Sequence, residues 1–277
     1  MLTNIFVFLC RFAPIKRVLW KKWYDFLARS YRKSDWTFMN YGYAPAVENQ
    51  TLALDPADEP NRYCIQLYHF VVSPIDLKGM RVLEVGSGRG GGASYIKRYL
   101  GPAAVTGVDF SANAVEFCRQ QYQADGLSFR EGAAEKLPFK DESFDAVVNV
   151  ESSHCYGSME AFLSEVRRVL RPGGSFLYAD LRDRASLAEW RTQLLNSRMN
   201  IASETDITAN VLAALDADND RKAALIHQLI PRPLIGSFTD FAGMRSSVIY
   251  EGFRTGGFTY RAFQLHRNTA RFNVVAG

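Results

Sequence analysis

At 277 residues the chain has room for one large domain or two small ones, and 47% hydrophobic with 22% charged residues is an ordinary globular balance with a sizeable core available. Its 33 basic side chains exceed the 29 acidic ones by a scattered +4, too little to argue for a nucleic-acid partner. Cys10, Cys64, Cys118 and Cys155 stand far apart with neither a CxxC pair nor a disulfide framework, which predicts free thiols in a reducing cytoplasm.

The apolar "NIFVFLC" near the amino terminus is far shorter than the ~20 residues of a spanning helix, no basic residue precedes it, and Pro14 follows, so no transmembrane segment is expected there. "IKRVLWKKWYDFLARSYR" places Trp20, Trp23, Tyr24 and Leu27 on one helical face with Lys16, Arg17, Lys21 and Lys22 nearby. An amphipathic helix packed on its own domain is favoured over a membrane-surface anchor, and peripheral membrane contact through this basic helix stays open. "WTFMNYGYAPAVENQTLALDPADEPNR" is rich in turn formers and predicts loop, and "RYCIQLYHFVV" predicts a short helix.

From Met80 the texture changes. Strands are predicted at Val82–Val85, Ala104–Val108, Ser128–Glu131, Ala146–Val150 and Phe176–Ala179, alternating with helices at Ala93–Leu100, Ala112–Ala124 and Met159–Leu170. That alternation specifies βαβ units and a parallel sheet covered by helices on both faces. Between Arg184 and about Pro233 the pattern is helical and polar, broken at "DADND", and suggests an insertion over the sheet edge. "SSVIYEGFRTGGFTYRAFQLHR" predicts two strands joined through Gly256-Gly257 that close the sheet. No internal repeat, low-complexity tract or long charge run interrupts the chain.

"VLEVGSGRGGGAS" runs a strand through glycines into a helix, where exposed N–H groups and close backbone approach suit a ligand. Gly86, Gly88 and Gly91 satisfy GxGxxG, and Asp109 ends the next strand, placed to accept hydrogen bonds from both ribose hydroxyls. A nicotinamide dinucleotide is therefore a live alternative on these residues alone.

The run "VLEVGSGRGG", "GVDFSANAVEFCRQQ", "GAAEKLPFKDESFDAVVNVESSHCY" and "EVRRVLRPGGSFLYADL" resembles the class I S-adenosylmethionine (SAM)-dependent methyltransferases, over residues 82 to 181. The resemblance implies that Gly86, Gly88 and Gly90 form the loop beside the methionine moiety and that Asp109 holds the ribose. It further implies that Ala133, Ala134 and Glu135 flank adenine, and that Glu84 acts on the methionine amino group directly or by ordering the loop. "FMNYGY", "DEPNRYCIQLYH", "NVESSHCY", "YADLR" and "EGFRTGGFTYRAF" are similar to the phthiotriol/phenolphthiotriol methyltransferases and related fatty-acid O-methyltransferases, which act on lipid hydroxyl or carboxyl groups. Such sequences commonly carry GDAE where this one has Gly132-Ala133-Ala134-Glu135, which removes one acceptor for the adenine amino group.

A sulfonium already activates its methyl carbon, so the protein must align the reactants, exclude water and, for an alcohol, remove a proton. His154 follows the strand ending at Val150, on the ligand side of a doubly wound sheet, and its unperturbed pKa of ~6.5 suits either a general base or a hydrogen-bonding residue. His69, in an apolar helix, is expected to be structural or a pocket wall, and the histidines and cysteines show no metal-site spacing. Among the N-terminal aromatic residues, Tyr24 could orient an acceptor oxygen, while Leu212, Leu215, Leu225, Ile226 and Leu229 could wall an acceptor pocket.

The expected fold is α/β: a doubly wound, Rossmann-like sheet, mostly parallel with an antiparallel terminal strand, plus an N-terminal helical cap and a helical insertion. Its expected parts are a cap or lid at 1–75, a SAM-binding core at 76–184, a helical insertion forming the acceptor pocket at 185–243 and terminal strands at 244–277. The candidate cofactor-binding residues are Glu84, Gly86, Gly88, Gly90, Asp109, Phe110, Ala133, Ala134, Glu135 and Asn149, and the candidate catalytic residues are His154 and Tyr24. The expected activity is a cytoplasmic SAM-dependent O-methyltransferase acting on a lipophilic small molecule, without metal or nucleic acid and with self-association open. A C-methyltransferase of an isoprenoid or indole-like metabolite, a non-catalytic SAM- or nucleotide-binding module and an oxidoreductase are the alternatives.

Overall fold

The apolar runs from Arg81 onward become strands buried on both faces, as expected when helices cover a sheet from either side. A computed structural model describes residues 36–46 and 52–269, so the basic helix expected around Tyr24 and the cysteine at Cys10 lie outside the described residues. The strands are β1 (Arg81–Val85), β2 (Ala104–Asp109), β3 (Leu127–Glu131), β4 (Phe144–Val150), β5 (Leu170–Asp183), β6 (Met199–Asp206) and β7 (Phe258–Arg267). They form one 7-stranded sheet in the order β3-β2-β1-β4-β5-β7-β6. The pairs β1–β2, β1–β4, β2–β3 and β4–β5 are parallel, whereas β7 runs antiparallel to both β5 and β6.

Helices α1 (Arg62–Val72), α2 (Gly91–Tyr99) and α3 (Ala112–Gln121) meet one face, and α4 (Met159–Val169) and α5 (Leu187–Asn196) meet the other. The two-residue period of the strands sorts the core. Val82, Ala146, Val148 and Leu177 join the first face, while Leu83, Val85, Val147 and Phe176 join the second. The side-chain oxygens of Ser111 and Ser158 accept N–H bonds from Ala114 and Ala161 and so start α3 and α4 at fixed residues.

Two elements differ from the sequence expectation. Residues 199–206, expected to be helical, form the edge strand β6, whose burial is confined to Met199 at its start, so no inside–outside alternation marks it. Conversely, the first of the two expected closing strands is a helix, α9 (Val248–Arg254), because the Ser247 hydroxyl accepts the Tyr250 N–H and caps it. Its β-branched Val248 and Ile249 suggested a strand, but Val248 is exposed and no strand partner is present among the described residues. The true partner of β7 at the edge is β6.

Between them lie α6 (Thr208–Ala217), α7 (Asn219–Leu229) and α8 (Ile235–Phe241), with the α6–α7 break at Asp218, inside the "DADND" turn signal. Ile226, Ile230, Phe238 and Met244 form a separate small core there, against which Trp36, Met39 and Phe241 pack. This cluster holds the segment entering from residue 36 over the carboxyl ends of the strands.

Opposite α1, an aromatic cluster ties α5 to the sheet. The Trp190 ring meets Tyr178 edge-on at 5.7 Å and Phe263 at 5.1 Å, and its indole N–H donates to the Tyr178 hydroxyl at 3.1 Å. Trp190 is 1% exposed, so Trp190→Ala opens a cavity and removes that donor, and is expected to cost about 3–5 kcal/mol in urea unfolding. A loss below about 1 kcal/mol would show that the cluster does not secure α5.

Candidate active site

The parallel part of the sheet reverses its winding between β1 and β4, and the carboxyl ends of strands flanking such a switch point open a crevice. The cleft found there is lined by Gly86 and Gly88 after β1, Asp109 and Phe110 after β2, Ala134 and Glu135 after β3, and Glu151 and His154 after β4. It encloses about 1240 Å³ of open space, its mouth included. Thr37–Tyr41 form a strap across it.

The loop after β1 leaves the sheet through Gly86, with φ +72°, where a Cβ would stand 2.3 Å from the Ser152 hydroxyl. Only glycine fits that approach. The Asn149 amide, fully buried beneath, lies 2.8 Å from the Val85 carbonyl, 2.8 Å from the Ser152 hydroxyl and 2.9 Å from the Tyr156 hydroxyl. At the far side of the turn, the Gly88 N–H donates to the Asp109 carboxylate at 2.8 Å, and the Ser111 N–H donates to its other oxygen at 2.9 Å.

Of the sequence-predicted residues, Gly86, Gly88, Asp109, Phe110, Ala134, Glu135 and His154 meet in this cleft. Gly90 stands behind it as the N-cap of α2, and Ala133 pairs with Lys136 in an isolated bridge beside it. Glu84 and Asn149 lie beneath its floor, fully buried. The Glu84 carboxylate accepts the Tyr68 hydroxyl at 2.6 Å and the Ala93 N–H, thereby holding the first turn of α2, while burial pushes its pKa up to about 8. The Glu135 carboxylate accepts the Gly157 N–H at 2.8 Å and so links the loops after β3 and β4. His69 bonds the Tyr95 hydroxyl at 2.8 Å and is not among the cleft residues.

His154 sits on a short 3-10 turn, Ser153–Cys155, whose position is set by buried Asp180 on β5. One Asp180 oxygen lies 2.8 Å from His154 Nδ1, and the other accepts the His154 N–H at 2.9 Å and the Ser153 hydroxyl at 2.5 Å. Arg182 lies 3.2 Å from the same carboxylate and, with His154, holds it ionised, far below the usual carboxylate range, despite its burial. Burial alone would lower the His154 pKa, but Cys155 and Asp180 outweigh it and push it up to about 10. Both neighbours favour the imidazolium form of the ring.

Glu151, which composition and periodicity do not single out, is the first residue after β4 and lines the cleft. Its φ of +49° is the left-handed conformation, which costs a non-glycine residue roughly 1 kcal/mol or more. The side chain accepts the Tyr41 N–H from the strap at 3.0 Å and the Tyr260 hydroxyl from β7 at 2.9 Å. Burial raises its pKa to about 8, against the lowering influence of the Tyr41 N–H and of His154.

A second, apolar cavity adjoins the first and shares Phe38, Met39, Asn40, Tyr41 and Phe241 with it. Leu225, Ile226 and Leu229 of the expected acceptor wall line it, whereas Leu215 is buried in the main core and Leu212 packs against that core. The strap thus has the donor cleft on one side and a hydrophobic chamber on the other.

The donor cleft suits SAM by its own chemistry. Asp109 offers a carboxylate to a ribose diol, and Phe110 and Ala134 offer apolar surface to a purine. Buried Glu84 Oε2 has no hydrogen-bond partner among the described residues, which leaves an unused acceptor beneath the loop.

Residues 83–178 match the family model of the methyltransferase domain. The chain is 40% identical over 253 residues to a phthiotriol/phenolphthiotriol dimycocerosates methyltransferase of Mycobacterium tuberculosis, covering 91% of this chain and 92% of that one. It is 40% identical over 240 residues to a fatty-acid O-methyltransferase of Mycolicibacterium smegmatis, covering 87% and 86%. In fold it is similar to the [4+2]-cyclase SpnF, with a TM-score of 0.70 at 19% identity over 90% of this chain and 95% of that one. A geranyl diphosphate C-methyltransferase from Streptomyces coelicolor gives 0.63 at 18% identity, over 88% and 97%. Likeness extending over nine-tenths of both sequences, together with a sheet and donor cleft of this form, identifies the chain as an enzyme of the class I SAM-dependent methyltransferases, in the family of the phthiotriol/phenolphthiotriol dimycocerosates and fatty-acid O-methyltransferases.

Proposed function

We propose that the enzyme transfers the methyl group of SAM to a carboxylate or hydroxyl oxygen of a lipophilic small molecule: a fatty acid, a long-chain lipid or a polyketide. The observation that carries this is the pairing of a polar donor cleft with an apolar chamber across one strap, Phe38–Tyr41. Trp36, Phe38, Met39, Leu225, Ile226 and Leu229 supply hydrocarbon to that chamber, which Asn61, Arg221 and Lys222 also line, and its apolar side supports an acceptor whose polar end meets His154 and Glu151 in the cleft. The names of the two relatives, one acting on phthiotriol and phenolphthiotriol dimycocerosates and one on fatty acids, support the same class of acceptor. The segment 185–243, which contributes α7 and α8 to the chamber, is the part of the chain that selects the acceptor.

SAM, when bound, supplies a methyl carbon already activated by its sulfonium. Asp109 and the loop around Gly88 hold the donor, the strap excludes water, and His154, clamped by Asp180, donates a hydrogen bond to the acceptor oxygen. Of the two roles open to His154 from sequence, we assign the donor, since Cys155 and Asp180 push the ring toward the imidazolium form, which has no lone pair with which to take a proton.

Incubation with methyl-labelled SAM and a panel of fatty acids, lipid alcohols, phenols and isoprenoids, followed by mass analysis, is expected to give oxygen-methylated lipid products. Asp109→Ala is expected to weaken SAM binding by roughly 10–100-fold in calorimetry, the value of its charged hydrogen bonds. Label confined to carbon in an isoprenoid product would replace the proposal with a C-methyltransferase. NMR titration of the His154 ring should show a midpoint near 10 in the wild type. In Asp180→Asn the midpoint should fall, because the upward push of the carboxylate is lost while that of Cys155 remains. An unmoved midpoint would contradict the clamp.

A further inference from the structure

We propose that Glu151 is the catalytic base of the reaction, taking the proton of a hydroxyl acceptor in the cleft that it lines with His154. This rests on the reading that the acceptor is a lipid oxygen and narrows it to a hydroxyl, because an ionised carboxylate has no proton to give up.

Geometry carries the assignment. Glu151 occupies the carboxyl end of β4, at the switch point of the sheet, and lines the same cleft as Asp109 and His154. Both protein hydrogen bonds that it receives end on Oε2, one from the Tyr41 N–H and one from the Tyr260 hydroxyl. Oε1 accepts none from the described residues, yet it is not among the fully enclosed unpartnered atoms, so it has access to the cleft. Anchoring the strap would need only a neutral acceptor such as an amide. A carboxylate on a left-handed, half-buried backbone is costlier than that task requires, as expected where local strain serves chemistry.

The surroundings set its proton affinity. The titratable groups acting on it or responding to it are His154 and Asp180 from the β4–β5 side, Tyr41 from the strap, Tyr260 from β7, and Tyr68 and Cys64 from α1. Burial dominates and places the carboxyl at about 8, near the working range of a general base. His154 is pushed up to about 10. In the transfer, the acceptor oxygen bonds the methyl carbon as the carbon–sulfur bond breaks and its electron pair passes to sulfur. The hydroxyl O–H bond breaks, and its proton goes to Glu151 Oε1.

Glu151→Gln tests this, because the amide oxygen can still accept from Tyr41 and Tyr260. Hydroxyl methylation is expected to fall by ~10²–10⁴-fold, while the melting temperature and calorimetric affinity for S-adenosylhomocysteine stay at the wild-type level. Wild-type kcat/KM should rise with pH through about 8, as the base form accumulates, and that limb should vanish in the variant. Carbon NMR of labelled glutamate supplies a readout free of turnover: a carboxyl titrating near 8 should be present in the wild type and absent from Glu151→Gln. Full hydroxyl turnover by the variant with the limb retained would overturn the proposal, and so would a Glu151 carboxyl titrating at the ordinary glutamate value. Products methylated only on carboxylates would overturn it while leaving oxygen methylation of lipids standing. Absence of any oxygen-methylated lipid would remove both.

Discussion

The bond from the Gly88 N–H to the Asp109 carboxylate, 2.8 Å long, joins the end of β1 to the end of β2 across the mouth of the donor cleft. Everything else at the site is arranged around that join. It requires the β1 loop to turn through backbone conformations with positive φ at Gly86 and Gly88, and it requires the loop to lie flat against Ser152 and Tyr156, leaving no space for a side chain at Gly86. Asn149 completes the support from below by reaching the Val85 carbonyl and both hydroxyls. The loop of the candidate donor side is therefore fixed by its packing against the sheet.

The proposed acceptor side is built differently, by contacts between parts of the chain far apart in sequence. Glu151 joins Tyr41 of the strap to Tyr260 of β7, and Asp180 joins His154 to Arg182 and, through Ser153, to the Tyr178–Trp190 cluster. One buried carboxylate is held ionised by cations and the other is pushed toward its neutral form by burial. Two acids of the same chemical type, on neighbouring strands, thus acquire opposite tendencies from their surroundings. On the proposal made above, that separation lets Asp180 hold His154 while Glu151 exchanges a proton.

The candidate donor cleft was legible in the sequence because its parts are local. A buried strand, a glycine turn, a helix and an acid at the end of the following strand each leave a signal within a few residues, and Gly86, Gly88, Asp109 and Phe110 come together in the cleft as that order implies. Glu84 and Asn149 carry the same signal but act from under the floor, a distinction that only packing makes. What was not legible depends on distance or on weak patterning. β6 is an exposed edge without alternation, and α9 begins with β-branched residues whose helical fate is decided by the side-chain cap at Ser247 rather than by their propensity. Glu151 stands inside the quoted "NVESSHCY", but its role follows from a left-handed φ and from partners more than a hundred residues away, neither of which leaves a periodic trace.

A crystal structure with sinefungin and a long-chain alcohol tests the central claim most directly. The expected result has the ribose hydroxyls on the Asp109 carboxylate, the purine between Phe110 and Ala134, and the amine that stands in place of the transferable methyl directed toward the alcohol oxygen near Glu151 and His154, with the alkyl chain in the chamber lined by Leu225 and Leu229. A nucleoside bound away from Asp109, or an alcohol chain lying outside that chamber, would contradict it.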